Sequence, residues 1–297
     1  MTRFTGLSAF PITPASADGR VDTAALRALI APLVRAGVDS IGLLGSTGTY
    51  AYLSRDERRR ALDAALDEAA GRVPVIVGVG ALRTDEAIAL AQDARAAGAV
   101  AGLLAAVSYT PLTDEEVSEH FSAVATESGL PICIYDNPGT THFRFAPSLV
   151  GRLAQVPGIC ALKSPAPDPD AVADHLDALR RAVPAEFRLG TSGDWNAAEA
   201  LLAGSEAWYS VAAGLFPHTC LAILRAAQAG DATRTRALNA RMQPLWDLFK
   251  EFTSLRVIYA AASHRGLCRA DPPRPILPLP EPLRQRVADT VDRLDLS

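Results

Sequence analysis

Lysine occurs only twice among the 29 Lys+Arg residues of this chain, at Lys163 and Lys250. Lys163 closes the apolar run Gly158-Ile159-Cys160-Ala161-Leu162, where a buried strand would end. Arginine stays protonated, whereas a desolvated lysine can shed its proton and attack a carbonyl. Burial disfavours the charged form of an amine. A neutral amine facing a 2-oxo acid forms an imine. The imine draws electrons away from the neighbouring carbon and stabilises an enamine there, so that a C–C bond can form or break. Tyr135 ends a second apolar run and offers a phenol to carry protons. Gly45-Ser46-Thr47-Gly48 offers hydroxyls and backbone N–H groups of the kind that hold a carboxylate, although Ser, Thr and Gly also dominate simple turns. Lys250 lies on an amphipathic stretch with Trp246 and Phe249 and reads as a surface charge.

These groups need a scaffold that brings distant strand ends together. Strand-like runs at 6–12, 40–44, 73–79, 100–107, 131–135, 158–163, 188–190 and 207–211 alternate with amphipathic stretches. Several runs are almost continuously apolar, as parallel strands covered on both faces are. Ser54-Arg55-Asp56-Glu57 and Thr113-Asp114-Glu115-Glu116 have the spacing of helix capping boxes, and Gly37, Gly71, Gly98 and Gly129 stand where helices should stop. Eight β-then-α units predict an α/β fold, a (β/α)8 TIM barrel, ahead of a doubly wound sheet. Residues 1–230 are expected to form the barrel. Residues 231–297 hold no convincing strand and are expected to form a C-terminal helical appendage, with helices near 231–249, 254–264 and 281–294.

In such a barrel the working residues sit at the C-terminal ends of strands. Those ends supply an amine (Lys163), phenols (Tyr135, Tyr109) and a hydroxyl-rich loop, but no metal-ligand spacing among the five histidines. The 45–50 loop lacks the Lys-Ser/Thr ending of a phosphate loop, and Gly78-Val79-Gly80 lacks the third glycine of a dinucleotide fingerprint. No metal or nucleotide cofactor is expected. A formal charge of −4 gives no case for nucleic acid or an anionic membrane. The longest apolar stretch, 96–107, falls short of the roughly 20 residues that span a bilayer. Four separated cysteines without a Cys-x-x-Cys pair read as reduced thiols, and the opening Met1-Thr2-Arg3-Phe4 has no room for a signal-peptide core. The expected location is the cytoplasm.

Three of these segments together resemble the dihydrodipicolinate synthase/N-acetylneuraminate lyase family of class I pyruvate-dependent lyases and aldolases. Gly45-Ser46-Thr47-Gly48 is similar to its carboxylate loop, Tyr135-Asp136-Asn137-Pro138 to its Tyr-x-x-Pro motif, and Leu162-Lys163 to its Schiff-base lysine. The spacing from Tyr135 to Lys163 is also that of the family, and the likeness covers nearly the whole chain. The resemblance implies that Lys163 forms the imine, that Tyr135 relays protons, and that Ser46 and Thr47 bind the oxo-acid carboxylate, one hydroxyl joining the relay. It implies that Tyr109 completes the relay across a dimer interface and that Tyr209 stands where the backbone meets the substrate. It further implies a homodimer or homotetramer, no cofactor beyond the covalent imine, and substrates that are a 2-oxo acid and an aldehyde.

Two positions depart from the family pattern. Thr49 stands where a glutamate usually follows the loop. Thr140 stands where dihydrodipicolinate synthases carry an arginine that grips the carboxylate of aspartate semialdehyde; Arg144 is nearby in sequence. Losing that guanidinium removes a bidentate carboxylate partner. The expectation is therefore a lyase acting on a sugar-derived or hydroxylated 2-oxo acid, with Thr140 beside its second substrate. The alternatives are 4-hydroxy-tetrahydrodipicolinate synthase and a non-catalytic barrel that binds a small carboxylate.

Overall fold

The computed structural model describes residues 4–296; Met1-Thr2-Arg3, discussed above as part of a lead too short for a signal core, lies outside them. Eight strands form a closed parallel barrel in chain order: β1 (Gly6–Ala9), β2 (Ser40–Leu43), β3 (Val75–Gly78), β4 (Ala101–Ala105), β5 (Ile132–Tyr135), β6 (Ile159–Pro165), β7 (Arg188–Ser192) and β8 (Ala207–Ser210). β8 closes the ring by pairing with β1. Each overlaps one of the runs singled out in the sequence, and the TIM barrel expectation is met; β6 and β7 continue two residues past theirs, to Pro165 and Ser192, so Lys163 lies within β6 instead of closing it. Strands β2 to β5 and β8 are buried at every residue, which is why their sequences show no polar alternation.

Around the ring stand α1 (Thr23–Ala36), α2 (Arg55–Ala69), α3 (Thr84–Ala97), α4 (Asp114–Ser128), the single turn α5 (Pro138–Thr141), α6 (Pro147–Leu153), α7 (Val172–Ala182), α8 (Ala197–Leu202) and α9 (Pro217–Gln228). The capping box at Thr113 is complete. Its hydroxyl accepts from the Glu116 amide and its own amide donates to the Glu116 carboxylate. At Ser54 only half the box forms, because the Glu57 carboxylate accepts instead from the Val21 amide at 2.7 Å. That contact ties the segment before α1 to α2. Gly37, Gly98 and Gly129 cap their helices in the left-handed region. Helix α2 stops one residue ahead of Gly71, at Ala70 with φ 47.

The helix expected over 231–249 is two helices, α10 (Ala232–Arg241) and α11 (Gln243–Phe252). Pro244 cannot donate a backbone hydrogen bond to continue α10, but it is tolerated in the first turn of a new helix. Then follow α12 (Ser254–His264) and α13 (Glu281–Leu294), as expected. The buried apolar core is continuous from the barrel helices into these elements through Trp246, Phe249, Val257 and Val291. Tyr259 on α12 donates to the Thr13 carbonyl at 3.3 Å, which pins the C-terminal helices over the segment leaving β1. Among the described residues no helix is long and apolar enough to cross a membrane.

Candidate active site

The register of the barrel sets Tyr135 opposite Lys163 on β5 and β6, and Lys163 opposite Gly190 on β7. Residues paired in this way on parallel strands face the same side, here the barrel interior. Lys163 is 4% exposed. Its Nζ stands 3.9 Å from the Phe10 ring centre, 4.1 Å from that of Tyr135 and 5.8 Å from that of Tyr209. No ion pair among the described residues involves it. The amine is held by aromatic faces and desolvated by them, without a carboxylate locked against it.

Two rings reach this position because glycines make room for them. A Cβ at Gly42 would fall 2.2 Å from the Phe10 ring, and one at Gly190 would fall 2.4 Å from the Tyr209 ring. Phe10 and Tyr209 meet edge to face at 6.0 Å. Below them the Tyr209 hydroxyl lies 3.7 Å from Cys133 Sγ. Burial pushes the Cys133 thiol up to about 12 and holds the Tyr209 phenol well above its usual range. Both therefore stay protonated and serve as floor, not as relay.

Above the amine a small polar network forms. Tyr135 OH lies 3.0 Å from Ser46 Oγ. The Asn137 side-chain amide donates to Ser46 Oγ at 3.1 Å, to Tyr135 OH at 3.1 Å and to Thr140 Oγ1 at 2.9 Å. Two N–H hydrogens thus serve three oxygens, and the amide fixes all three hydroxyls at once. Thr47 is buried beside them. Thr49, in the place usual for glutamate, is buried and adopts φ 54.

Asp194 follows β7 and is 3% exposed. Its Oδ1 accepts from Trp208 Nε1 at 2.9 Å and its Oδ2 from the Ala212 amide at 2.8 Å. Burial raises its carboxyl above the usual range, opposed by these donors and by the positive charge of Lys163. Its role in the geometry is to hold the β8 end in place.

Ser46, Thr47, Tyr135, Thr140, Lys163 and Tyr209 line one cavity of about 450 Å³ at the C-terminal mouth of the barrel. Helices α11 and α12 lend Phe249 and Leu255 to its rim. Tyr109 is not among these residues; it projects from the loop after β4 with 97% of its surface exposed. Arg144 is exposed as well and lies outside the cavity lining. Sequence reading missed Asn137 as a site residue, although it stood inside the quoted Tyr-Asp-Asn-Pro segment. It also missed Phe10 and Trp195, which carry no chemical signal apart from their position after strand ends. Among the described residues no cluster of three metal-ligating side chains occurs.

A closed parallel barrel with its amine, phenol and hydroxyls gathered at the C-terminal mouth defines the class: an α/β-barrel lyase. The comparisons narrow it. The model of the Dihydrodipicolinate synthetase family matches residues 3–294. A crystal structure of dihydrodipicolinate synthase from Agrobacterium tumefaciens superposes with a TM-score of 0.96 at 57% identity, covering 99% of each chain. The 4-hydroxy-tetrahydrodipicolinate synthase of Methylococcus capsulatus is 38% identical over 249 residues, 84% of each chain. That of Alcanivorax borkumensis is 35% identical over 286 residues, 96% of each chain. The chain belongs to the dihydrodipicolinate synthetase family.

Proposed function

We propose that this enzyme uses Lys163 to form an imine with pyruvate or a related 2-oxo acid and makes or breaks a C–C bond at the adjacent carbon. The observation that carries this reading is the position of Lys163. It is buried, in register with Tyr135, and faces a phenol whose oxygen is 3.0 Å from Ser46 Oγ. The neutral amine adds to the keto carbon, and the carbinolamine loses water to give the imine. Tyr135, with Ser46 as its hydrogen-bonded partner, carries the protons these steps require. Ser46 and Thr47 hold the substrate carboxylate, and Asn137 orients the hydroxyls. Loss of a proton from the carbon beside the imine gives an enamine, which attacks an aldehyde. Water then releases the product and restores the amine. The covalent imine takes the place of a cofactor.

The relatives' names favour one further reading, condensation with the aldehyde that leads to 4-hydroxy-tetrahydrodipicolinate. Thr140, in place of a guanidinium, ranks it second to a sugar-derived or hydroxylated 2-oxo acid. Tyr109, with 97% of its surface free and Leu82 exposed at 65%, supports a homodimer or homotetramer in which this phenol reaches a neighbouring copy. The segment 231–296 acts as an appendage that roofs the barrel mouth. A cytoplasmic setting, in which four separated cysteines would stay reduced, fits the chain.

The test is reductive trapping. Incubation with pyruvate and borohydride should add the mass of a reduced pyruvate adduct to a peptide containing Lys163, and Lys163→Ala should abolish it. A folded protein that stays unmodified across a panel of 2-oxo acids would refute the imine. Thermal stabilisation by pyruvate without an adduct would point instead to a carboxylate-binding barrel.

A further inference from the structure

We propose that the outer half of the cavity takes an uncharged aldehyde with an apolar body and disfavours aldehydes that carry a carboxylate. This deepens the imine reading and rests on it. Among the residues lining the cavity only Lys163 and Asp194 are charged. Lys163 is consumed by the first substrate. Both Asp194 oxygens are engaged by Trp208 and Ala212, and an aspartate would in any case repel an anion. No arginine lines the cavity, and Arg144 stands outside it, exposed near Asp136. The oxo-acid carboxylate has the Ser46 and Thr47 hydroxyls; a second carboxylate would meet other hydroxyls, among them Thr141, Ser192, Thr253 and Ser254, but no cation.

What the outer half offers is apolar surface interspersed with neutral hydroxyls. Trp195, Val211, Phe249, Leu255 and Ile276 face it from the ends of β7 and β8 and from the C-terminal segment. Thr140 Oγ1, held by Asn137, is placed to meet the aldehyde oxygen or a neighbouring hydroxyl. A carboxylate placed against such walls gives up its hydration with no cation in return. An uncharged aldehyde gives up little and gains apolar contact.

The step balances without another reagent. The enamine carbon attacks the aldehyde carbon; the new C–C bond forms as the C=O π bond breaks, and the oxygen takes a proton from the Tyr135–Ser46 relay. The water lost on forming the imine is regained when the imine is hydrolysed. The product is a 4-hydroxy-2-oxo acid.

The experiment compares butanal with succinic semialdehyde, a four-carbon pair that differ by a carboxylate, each with pyruvate and the full-length enzyme. In the wild type kcat/KM should favour butanal by at least roughly tenfold, the worth of one missing charge-assisted partner. Thr140→Arg, at an exposed position in the single turn α5, should move that ratio toward succinic semialdehyde by on the order of 10- to 100-fold. Equal or better use of succinic semialdehyde by the wild type overturns the proposal. So does an unchanged ratio in Thr140→Arg, or formation of the Lys163–pyruvate adduct with no consumption of the uncharged aldehyde. If no adduct forms, the imine reading fails first and this proposal falls with it; trapping is therefore measured alongside.

Discussion

Asp136 follows Tyr135 directly, and its amide donates to the Lys163 carbonyl at 2.9 Å. Its side chain is 5% exposed and its Oδ1 has no hydrogen-bond partner. Burial pushes its carboxyl from 3.8 up to about 6, against weaker opposing pulls from the Phe145 amide and the Arg144 guanidinium. A raised folded-state value for an acid favours the protonated form in the fold. Stability from this group is thus fully present below the unfolded value and falls as pH rises toward the folded one. The gap from 3.8 to about 6, at 1.36 kcal/mol per pH unit, is worth about 3 kcal/mol. Linkage places most of that loss, about 2 kcal/mol, between pH 4 and 7.5. Asp136→Asn removes the titration while keeping the shape. Urea unfolding of both proteins at fixed concentration, at pH 4, 5, 6 and 7.5, should show the variant gaining on the wild type by about 2 kcal/mol over that span. The comparison across pH cancels any constant cost of the substitution. Parallel stability profiles for the two proteins would refute the reasoning, because the carboxyl would then titrate alike in both states.

Three further outcomes follow from the same geometry. Tyr135→Phe removes the hydroxyl bonded to Ser46 and Asn137 and should lower kcat by on the order of 10²- to 10⁴-fold while changing unfolding free energy by only about 1–2 kcal/mol; steady-state kinetics beside urea unfolding checks both, and near-normal turnover counts against the relay. Gly190→Ala places a Cβ 2.4 Å from the Tyr209 ring and 2.9 Å from Ala207 Cβ, so it should cost about 1–3 kcal/mol and slow adduct formation as Tyr209 is pushed toward Lys163; an unchanged melting temperature would argue against this packing. Asp194→Asn leaves only one good acceptor for Trp208 Nε1 and the Ala212 amide, and turns an N–H toward the other donor. Loss of about 2–4 kcal/mol is expected in thermal or urea unfolding, with no gain for an Asn that merely fills the same space.

Much of the fold was written in local patterns. Strands buried on both faces need apolar residues throughout, so 73–79 and 131–135 announce themselves without any partner being known. Helix ends are equally local: Thr113 and Glu116 cap one start, while Gly98 and Gly129 mark two stops by accepting a left-handed backbone. Where a distant residue competes, local reading fails. Glu57 leaves half of its capping box for the Val21 amide, 36 positions away in the chain, which no window around Ser54 could show. The break at Met242 was a milder miss, since Pro244 was visible but its consequence depends on where the next helix begins.

For the site, residue type and chain position singled out Lys163, Tyr135, Ser46 and Thr47 as candidates, because few side chains can act as amine, phenol or hydroxyl at successive strand ends. The sequence alone left their distances open. Barrel closure and register decide that Tyr135 lies beside Lys163 and that a loop 89 residues away brings Ser46 within 3.0 Å of its hydroxyl. The tertiary structure also decides what surrounds the amine. Phe10 and Tyr209 desolvate it only because Gly42 and Gly190 leave them space, a relation between residues far apart in sequence. It decides, finally, that Tyr109 points away from the chain's own cavity. Lysine's chemistry comes from its residue type, but the environment around it is made by packing between strands, and packing is not a local property of the chain.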